Sequence, residues 1–181
     1  MTISLDASDP MNDEFRNSCR FCRYCGGPLR EASSLPVRLV CDECQRTTFL
    51  NPKVGVALLI EHDGALLLAR RTEEPYKDSW VLPSGYVEYE ESCEQAAVRE
   101  ASEELSTEVE LQGLQGVYSY GDDPRSRMVL VVYRAVCNSQ SVKAADDVGE
   151  CAFFQPDDLP SAIAFDGVRQ AIAAWLKGWQ R

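Results

Sequence analysis

The 181-residue chain contains a single histidine, His62. It falls in His62-Asp63-Gly64, a hairpin turn signal between two apolar runs, and is read as a turn residue rather than a catalytic base. Basic residues are scarce as well: 18 Lys and Arg stand against 29 Asp and Glu, a net charge of −11. That balance speaks against a non-specific grip on DNA or on an anionic membrane. No hydrophobic run is long. The longest, such as residues 54–60, have the length of a strand and fall far short of a bilayer span. The polar N-terminus, with Asp6, Asp9, Asp13 and Glu14, has no apolar signal core and is too acidic for a transit peptide. A soluble, cytoplasmic protein is the expectation, with no membrane among its partners.

Cysteine is the residue present in excess, at eight. Without a signal peptide these are not expected to form a disulfide framework. Five of them crowd into residues 19–44, where Cys22-Arg-Tyr-Cys25, itself followed by Gly26-Gly27, is separated by fifteen residues from Cys41-Asp-Glu-Cys44. Two Cys-x-x-Cys knuckles at that separation point to a structural Zn²⁺ held by four thiolates, Cys22, Cys25, Cys41 and Cys44. Cys19 competes for the first pair, and Gly26 after Cys25 favours the later one because a knuckle needs a tight turn. So small a module depends on its metal for folding energy. It holds five Arg and no Lys, too weak a basic footprint for nucleic acid. A spacer, a docking module or a homodimer contact is preferred as its use. The chain divides into a disordered tail over residues 1–18, a zinc ribbon over 19–50 and a larger domain over 51–181, with residues 47–51 as the junction and Pro52 marking it.

The larger domain is organised around residues 85–110, which carry nine Glu and one Arg. Ser92 and Gln95 form a capping box, so a helix begins near Ser92, and Ala97, Ala101 and Leu105 give it an apolar seam. Glu100, Glu103 and Glu104 then project from one side at i, i+3 and i+4. Like charges at that spacing destabilise a helix by roughly 0.2–0.5 kcal/mol per pair. A hard divalent cation, which takes oxygen ligands, would give the cluster a purpose. Glu94 lies on the same helix and has no part in that cluster. Strands are expected over residues 54–60, 65–69, 109–118, 128–137 and 151–154, with polar loops over 72–79 and 138–149. A last helix follows Asp166, with Val168, Ala171, Ile172, Trp175 and Leu176 on its packed face. Arg70 and Arg71 close the second strand, either to reach a phosphate or as a solvated strand end.

The stretch Gly85, five residues, Glu91, seven residues, Arg99-Glu100, two residues, Glu103-Glu104 resembles the Nudix box of the Nudix hydrolases, and Trp80-Val81-Leu82-Pro83-Ser84 resembles the approach to it. There are two departures from the family pattern: Ser84 replaces the first glycine of a common pair, and Ser106-Thr107 stand where glycine and an aliphatic residue usually end the box. The resemblance implies an α/β/α Nudix sandwich over residues 52–178 and Mg²⁺- or Mn²⁺-dependent hydrolysis of a diphosphate linkage in a nucleoside diphosphate derivative. It makes Glu100 and Glu104 the primary metal ligands, with Glu103 sharing ligation or taking a proton and a carbonyl at Ser84 or Gly85 completing the shell. Arg99 would orient Glu91 through a bidentate pair. Glu150, just before a late strand, is the candidate for a further metal ligand or general base, with Asp146 and Asp147 as rivals. Tyr118 and Tyr120 flank a loop expected to overhang the site and offer a face to a base, with core packing an equal alternative for Tyr118, and Arg125 and Arg127 offer charge to the diphosphate.

A zinc ribbon ahead of such a domain resembles the NADH pyrophosphatases. Their downstream Ser-Gln-Pro-Trp-Pro-Phe-Pro-x-Ser signature is replaced here by Tyr118-Ser-Tyr-Gly-Asp-Asp-Pro124, which argues against NADH and leaves ADP-ribose, FAD or another nucleoside diphosphate derivative. The rival reading is a non-catalytic nucleotide sensor that uses the ribbon to contact a partner or nucleic acid.

Overall fold

The computed structural model describes residues 18–34, 37–123, 126–137, 142–145 and 148–179. The tail expected over residues 1–18 lies outside them except for Ser18, as do Arg125, Asp146 and Asp147. The chain forms two compact units. One runs to Pro52 and takes in residues 124–126; the other comprises Lys53–Asp123 and Arg127–Arg181.

In the first unit, β1 (Leu29–Ser34), β2 (Val37–Cys41) and β3 (Thr47–Thr48) form an antiparallel sheet in that order. Thr47 and Thr48, read from sequence as the start of the junction, instead pair with Val40 and Leu39. Among the described residues of this unit, only Cys22, Leu39 and Cys41 are buried apolar side chains. Such a core is too small to hold a fold by itself.

The second unit is built on a seven-stranded mixed sheet. Its path runs β10 (Val148–Phe154), β5 (Ala65–Arg71), β4 (Lys53–His62), β9 (Met128–Cys137) and β8 (Val109–Tyr120). Two short strands lie off the path: β6 (Trp80–Val81) pairs with β5, and β7 (Ser84–Tyr86) pairs with β4. Among the paired strands of the described residues, only β4 and β9 run parallel. The β4–β5 hairpin turns on Asp63 and Gly64, both at positive φ (47° and 76°), as a two-residue primed turn requires.

The uninterrupted apolar run of β4 is explained by cover on both faces. Val56, Leu58 and Ile60 pack with Ala97, Ala101 and Leu105 of α1 (Cys93–Leu105). Ala57 and Leu59 pack on the other face with Val168, Ala171, Ile172 and Trp175 of α2 (Asp166–Trp179). The result is the expected α/β/α sandwich. Strand β10 begins at Val148, earlier than expected, so Glu150 lies inside a strand opposite Arg70 and not in the loop before it. Pairing with β5 satisfies the backbone there and draws the strand out to Arg71. Among the described residues, no helix is long and apolar enough to cross a membrane.

Candidate active site

Helix α1 starts as its sequence requires. Ser92 Oγ accepts the Gln95 N–H at 3.2 Å, and Gln95 Oε1 accepts the Ser92 N–H at 2.8 Å, so the capping box is complete. The helix ends on Ser106, which holds a left-handed conformation (φ 49°, ψ 37°) that glycine usually occupies.

Arg99 is the hub of the acidic stretch. Its Nη2 and Nε donate to the two oxygens of Glu91 at 2.6 and 3.1 Å, a bidentate pair. Its Nη1 donates to Glu100 at 2.7 Å and to Glu103 at 2.9 Å, and Nη2 also reaches the Tyr86 carbonyl at 3.0 Å. The bond from Arg99, with a second from the Glu88 N–H at 2.8 Å, holds the Glu91 carboxyl below the usual carboxylate range. In turn Glu91, followed by Glu100 and Glu103, raises the Arg99 pKa against its partial burial.

Glu104 takes a different partner. It is only 7% exposed, and its Oε2 accepts the Ser84 N–H at 3.0 Å. Gly85, the next residue, lies so close to the Glu100 carboxylate that a β-carbon there would overlap it. The three helix carboxylates thus share partners pairwise: Glu100 and Glu103 on the Arg99 guanidinium, and Glu100 and Glu104 on the neighbouring residues Gly85 and Ser84 of strand β7. The donors are all oxygen, and Glu104 and Ser84 border a pocket lined also by Arg70, Arg71, Thr72 and Glu73. This donor chemistry fits a hard divalent cation held by Glu100, Glu103 and Glu104.

The other sequence candidates are distributed unevenly. Arg70 reaches the pocket, where Nη1 contacts Glu150 Oε2 at 3.4 Å and Nε donates to the Asp78 carbonyl at 3.1 Å. Tyr118 and Tyr120 pack against the core on the α2 side; Tyr120 lies 5.6 Å from the Phe165 ring, and the Tyr118 ring covers Gly116. Arg127 extends alongside Gly121, where a β-carbon would meet its guanidinium. Glu94, outside the sequence cluster, accepts the Tyr133 hydroxyl at 2.8 Å and so ties α1 to β9. That bond lowers the Glu94 pKa, while burial and Glu94 push Tyr133 up to about 12. Sequence reasoning also missed Asp122, Arg169 and Tyr76, which join across three separate segments. No local pattern links residues 46 and 47 positions apart.

In the first unit, the sulfurs of Cys22, Cys25, Cys41 and Cys44 all lie within 4.8 Å of one another. Among the described residues they are the one set of three or more ligand-bearing side chains gathered so closely; Cys19 is not part of it. Two of the edges measure 3.7 Å (Cys22–Cys44) and 3.5 Å (Cys25–Cys41). A tetrahedron with Zn–S bonds of ~2.3 Å has edges of about 3.8 Å, so the four sulfurs fit zinc. Each knuckle is followed by one left-handed residue, Gly26 (φ 76°) and Gln45 (φ 58°), which turns the chain back. The Tyr24 N–H lowers the Cys22 thiol to about 7. For Cys25 the Gly27 N–H acts in the same direction, but the neighbouring sulfurs of Cys41 and Cys44 outweigh it and push the thiol up to about 12.

The chain matches the NUDIX domain family over residues 50–176. It is 40% identical over 119 residues to the ADP-ribose pyrophosphatase of Methanocaldococcus jannaschii, covering 65% of this chain and 70% of that protein. Identity to the NAD-capped RNA hydrolase NudC of Edwardsiella ictaluri is 38% over 96 residues, and there the chain spans 37% of the relative's length. A NUDIX hydrolase structure from Nitrosomonas europaea superposes with a TM-score of 0.77 at 28% identity, covering 89% of this chain and 92% of that one. Because the family match runs from before β4 into α2 and takes in Ser84, Gly85, Arg99 and every carboxylate around them, the chain belongs to the NUDIX family.

Proposed function

We propose that the chain is a pyrophosphohydrolase that cleaves the diphosphate bond of a nucleoside diphosphate joined to a sugar, with ADP-ribose as the reference substrate. The observation that carries this reading is the buried Glu104, held against the Ser84 N–H at the border of the pocket with its partners Glu100 and Glu103 one turn away. Mg²⁺ or Mn²⁺ bound by these three would supply charge neutralisation at the diphosphate and activation of water. The chain's own residues do the rest. Arg99 orients Glu91, Glu100 and Glu103 and holds the Glu91 carboxyl below the usual carboxylate range. The missing side chain at Gly85 lets Glu100 lie against β7. Glu103, with half its side chain exposed, is the member of the three best able to accept a proton from the attacking water. Arg70 meets the diphosphate at the pocket, and Glu150 holds Arg70 there, its second use being as an alternative base. The pocket wall is mostly polar and carries two arginines, with Arg70, Arg71, Thr72, Glu73, Ser84 and Glu104 beside Val81 and Val148, which suits a diphosphate.

The cysteine cluster holds a structural Zn²⁺, and the pairing of its sulfur spacing with so small a buried core supports this. The test of function is a panel of ADP-ribose, FAD and NADH with Mg²⁺ and product identification. AMP and ribose 5-phosphate released from ADP-ribose at the highest kcat/KM is the expected result. Preference for NADH would refute the substrate assignment, and no turnover on any diphosphate would refute the enzyme.

A further inference from the structure

The loop between β5 and β6, residues 72–79, gives Thr72 and Glu73 to the wall of the pocket beside Glu104. Its backbone is held in an unfavourable shape. Tyr76 and Asp78 both have left-handed φ values, 64° and 66°. Residues with a β-carbon keep that conformation only where their surroundings fix it.

The loop is fixed from two sides. On the strand side, Arg71 Nε donates to the Pro75 carbonyl at 2.9 Å, Arg71 Nη2 to the Glu73 carbonyl at 3.3 Å and Arg70 Nε to the Asp78 carbonyl at 3.1 Å. On the other side, the Tyr76 hydroxyl donates to the Asp122 carboxylate at 3.2 Å, and its ring meets Phe165 edge-on at 5.1 Å. Asp122 is itself anchored on α2: it accepts the Asp166 N–H at 3.0 Å and Arg169 Nη2 at 2.9 Å. Arg169 in turn is pinned by Asp166 at 2.6 Å and the Ile163 carbonyl at 2.8 Å. One carboxylate thus caps the start of α2 and reaches across to the tip of the pocket loop.

We propose that Tyr76 and Asp122 are positioning residues for substrate binding: they clamp loop 72–79 to the start of α2, so that Thr72 and Glu73 keep the shape of the pocket beside Glu104. Neither residue lines the pocket, and neither bonds to the α1 carboxylates in the contacts described above. Their loss therefore acts on the grip on substrate and spares the chemical step. The inference rests on reading that pocket as the diphosphate substrate site.

The variant that tests it is Tyr76→Phe, which removes the hydroxyl and leaves the ring on Phe165. With ADP-ribose and saturating Mg²⁺, KM should rise at least about ten-fold, the lower end for loss of one hydrogen bond to a charged acceptor, with kcat within about two-fold. Asp122→Asn should shift KM the same way, and the double variant should add little to it, as coupled residues do. Should Asp122→Asn fail to fold, Tyr76→Phe alone decides. An active wild type with KM unchanged in Tyr76→Phe overturns this inference alone, even if the melting temperature falls, because that is the mark of a purely structural clamp. A fall in kcat at constant KM overturns it too. A wild type that cleaves no diphosphate overturns the functional reading and this inference with it.

Discussion

Glu104→Gln separates the stability of helix α1 from its chemistry. The substitution keeps the side chain's size and removes one charge from a site only 7% exposed. The amide oxygen can still accept the Ser84 N–H, now 3.0 Å from Oε2. A bond to a charged acceptor contributes ~1.5–3 kcal/mol and a neutral one ~0.5–1.5, so roughly 1 kcal/mol is lost. Against that, repulsion from Glu100 one turn earlier, ~0.2–0.5 kcal/mol, disappears, and a nearly buried carboxylate no longer has to be desolvated. The terms nearly cancel. At about 2–4 °C per kcal/mol for a chain of this length, the melting temperature in chelator should stay within about 4 °C of wild type. Activity has no such compensation. A metal site contributes several kcal/mol of transition-state stabilisation, and ~3 kcal/mol corresponds to roughly a hundred-fold.

The control must be chosen from the structure. Glu94 shares the helix and looked idle in the sequence, yet it bonds Tyr133 at 2.8 Å, so removing its charge would weaken the α1–β9 contact. Glu90, exposed in the same acidic stretch, is the better comparison. Glu90→Gln should leave both melting temperature and turnover nearly unchanged. The assay is thermal unfolding in chelator beside ADP-ribose turnover at saturating Mg²⁺. Turnover of Glu104→Gln within about two-fold of wild type, or equal effects from both variants, would show a solvated acidic face and remove Glu104 from the mechanism.

Three further outcomes are expected. Metal analysis of freshly purified protein should find one zinc per chain, and Cys22→Ser should lose it while the melting of the larger unit is unchanged; protein free of zinc would refute the ribbon. Because Arg99 lowers the Glu91 pKa in the fold, the stability that Glu91 contributes is fully present above its unfolded value of ~4.3 and fades as pH falls through the lower folded value. The gap in melting temperature between wild type and Glu91→Gln should thus be constant near neutrality and close in acid, and a gap that widened in acid would contradict the ion pair. Ser106→Gly should relieve the left-handed C-cap and gain about 0.5–1 kcal/mol, seen as a rise of ~2–4 °C with unchanged turnover, while a fall would mean that the serine side chain holds the cap.

What could be read in the sequence follows the range of the forces involved. The capping box at Ser92 and Gln95, the α1 seam and the hairpin at Asp63-Gly64 are local, and each residue type carries its own backbone preference. The Cys-x-x-Cys pairs were legible for the same reason, since two tight turns set four sulfurs at fixed spacing. Long-range matters were not. Nothing near Glu150 says that β10 extends back to Val148 and sets it opposite Arg70, because register depends on the partner strand. Tyr118 and Tyr120 carry alternating positions of a β8 whose outward and inward faces only the packing of α2 decides. Asp122 reads as one more loop acid until α2 presents the Asp166 N–H and Arg169 to it.

The two departures from the box pattern show which of its positions need a particular side chain. Ser84 stands where the family usually has glycine, but it lies in strand β7 opposite Ala57, and its use is the backbone N–H given to Glu104. Every non-proline residue in a strand offers that donor, so a serine there changes nothing the site depends on. Gly85 differs, because the Glu100 carboxylate fills the place of its missing β-carbon. An alanine would push Glu100 from Arg99 and from its place against β7. Ser106 holds a left-handed backbone that glycine would hold with less strain, and its N–H still reaches the Ser102 carbonyl at 3.1 Å, so that departure weakens the helix end without touching a carboxylate. Both substitutions fall where only the backbone is used. The side chains to which the proposal gives the chemistry, Glu91, Arg99, Glu100, Glu103 and Glu104, are tied to one another or to β7, so at those positions the side chain itself is used.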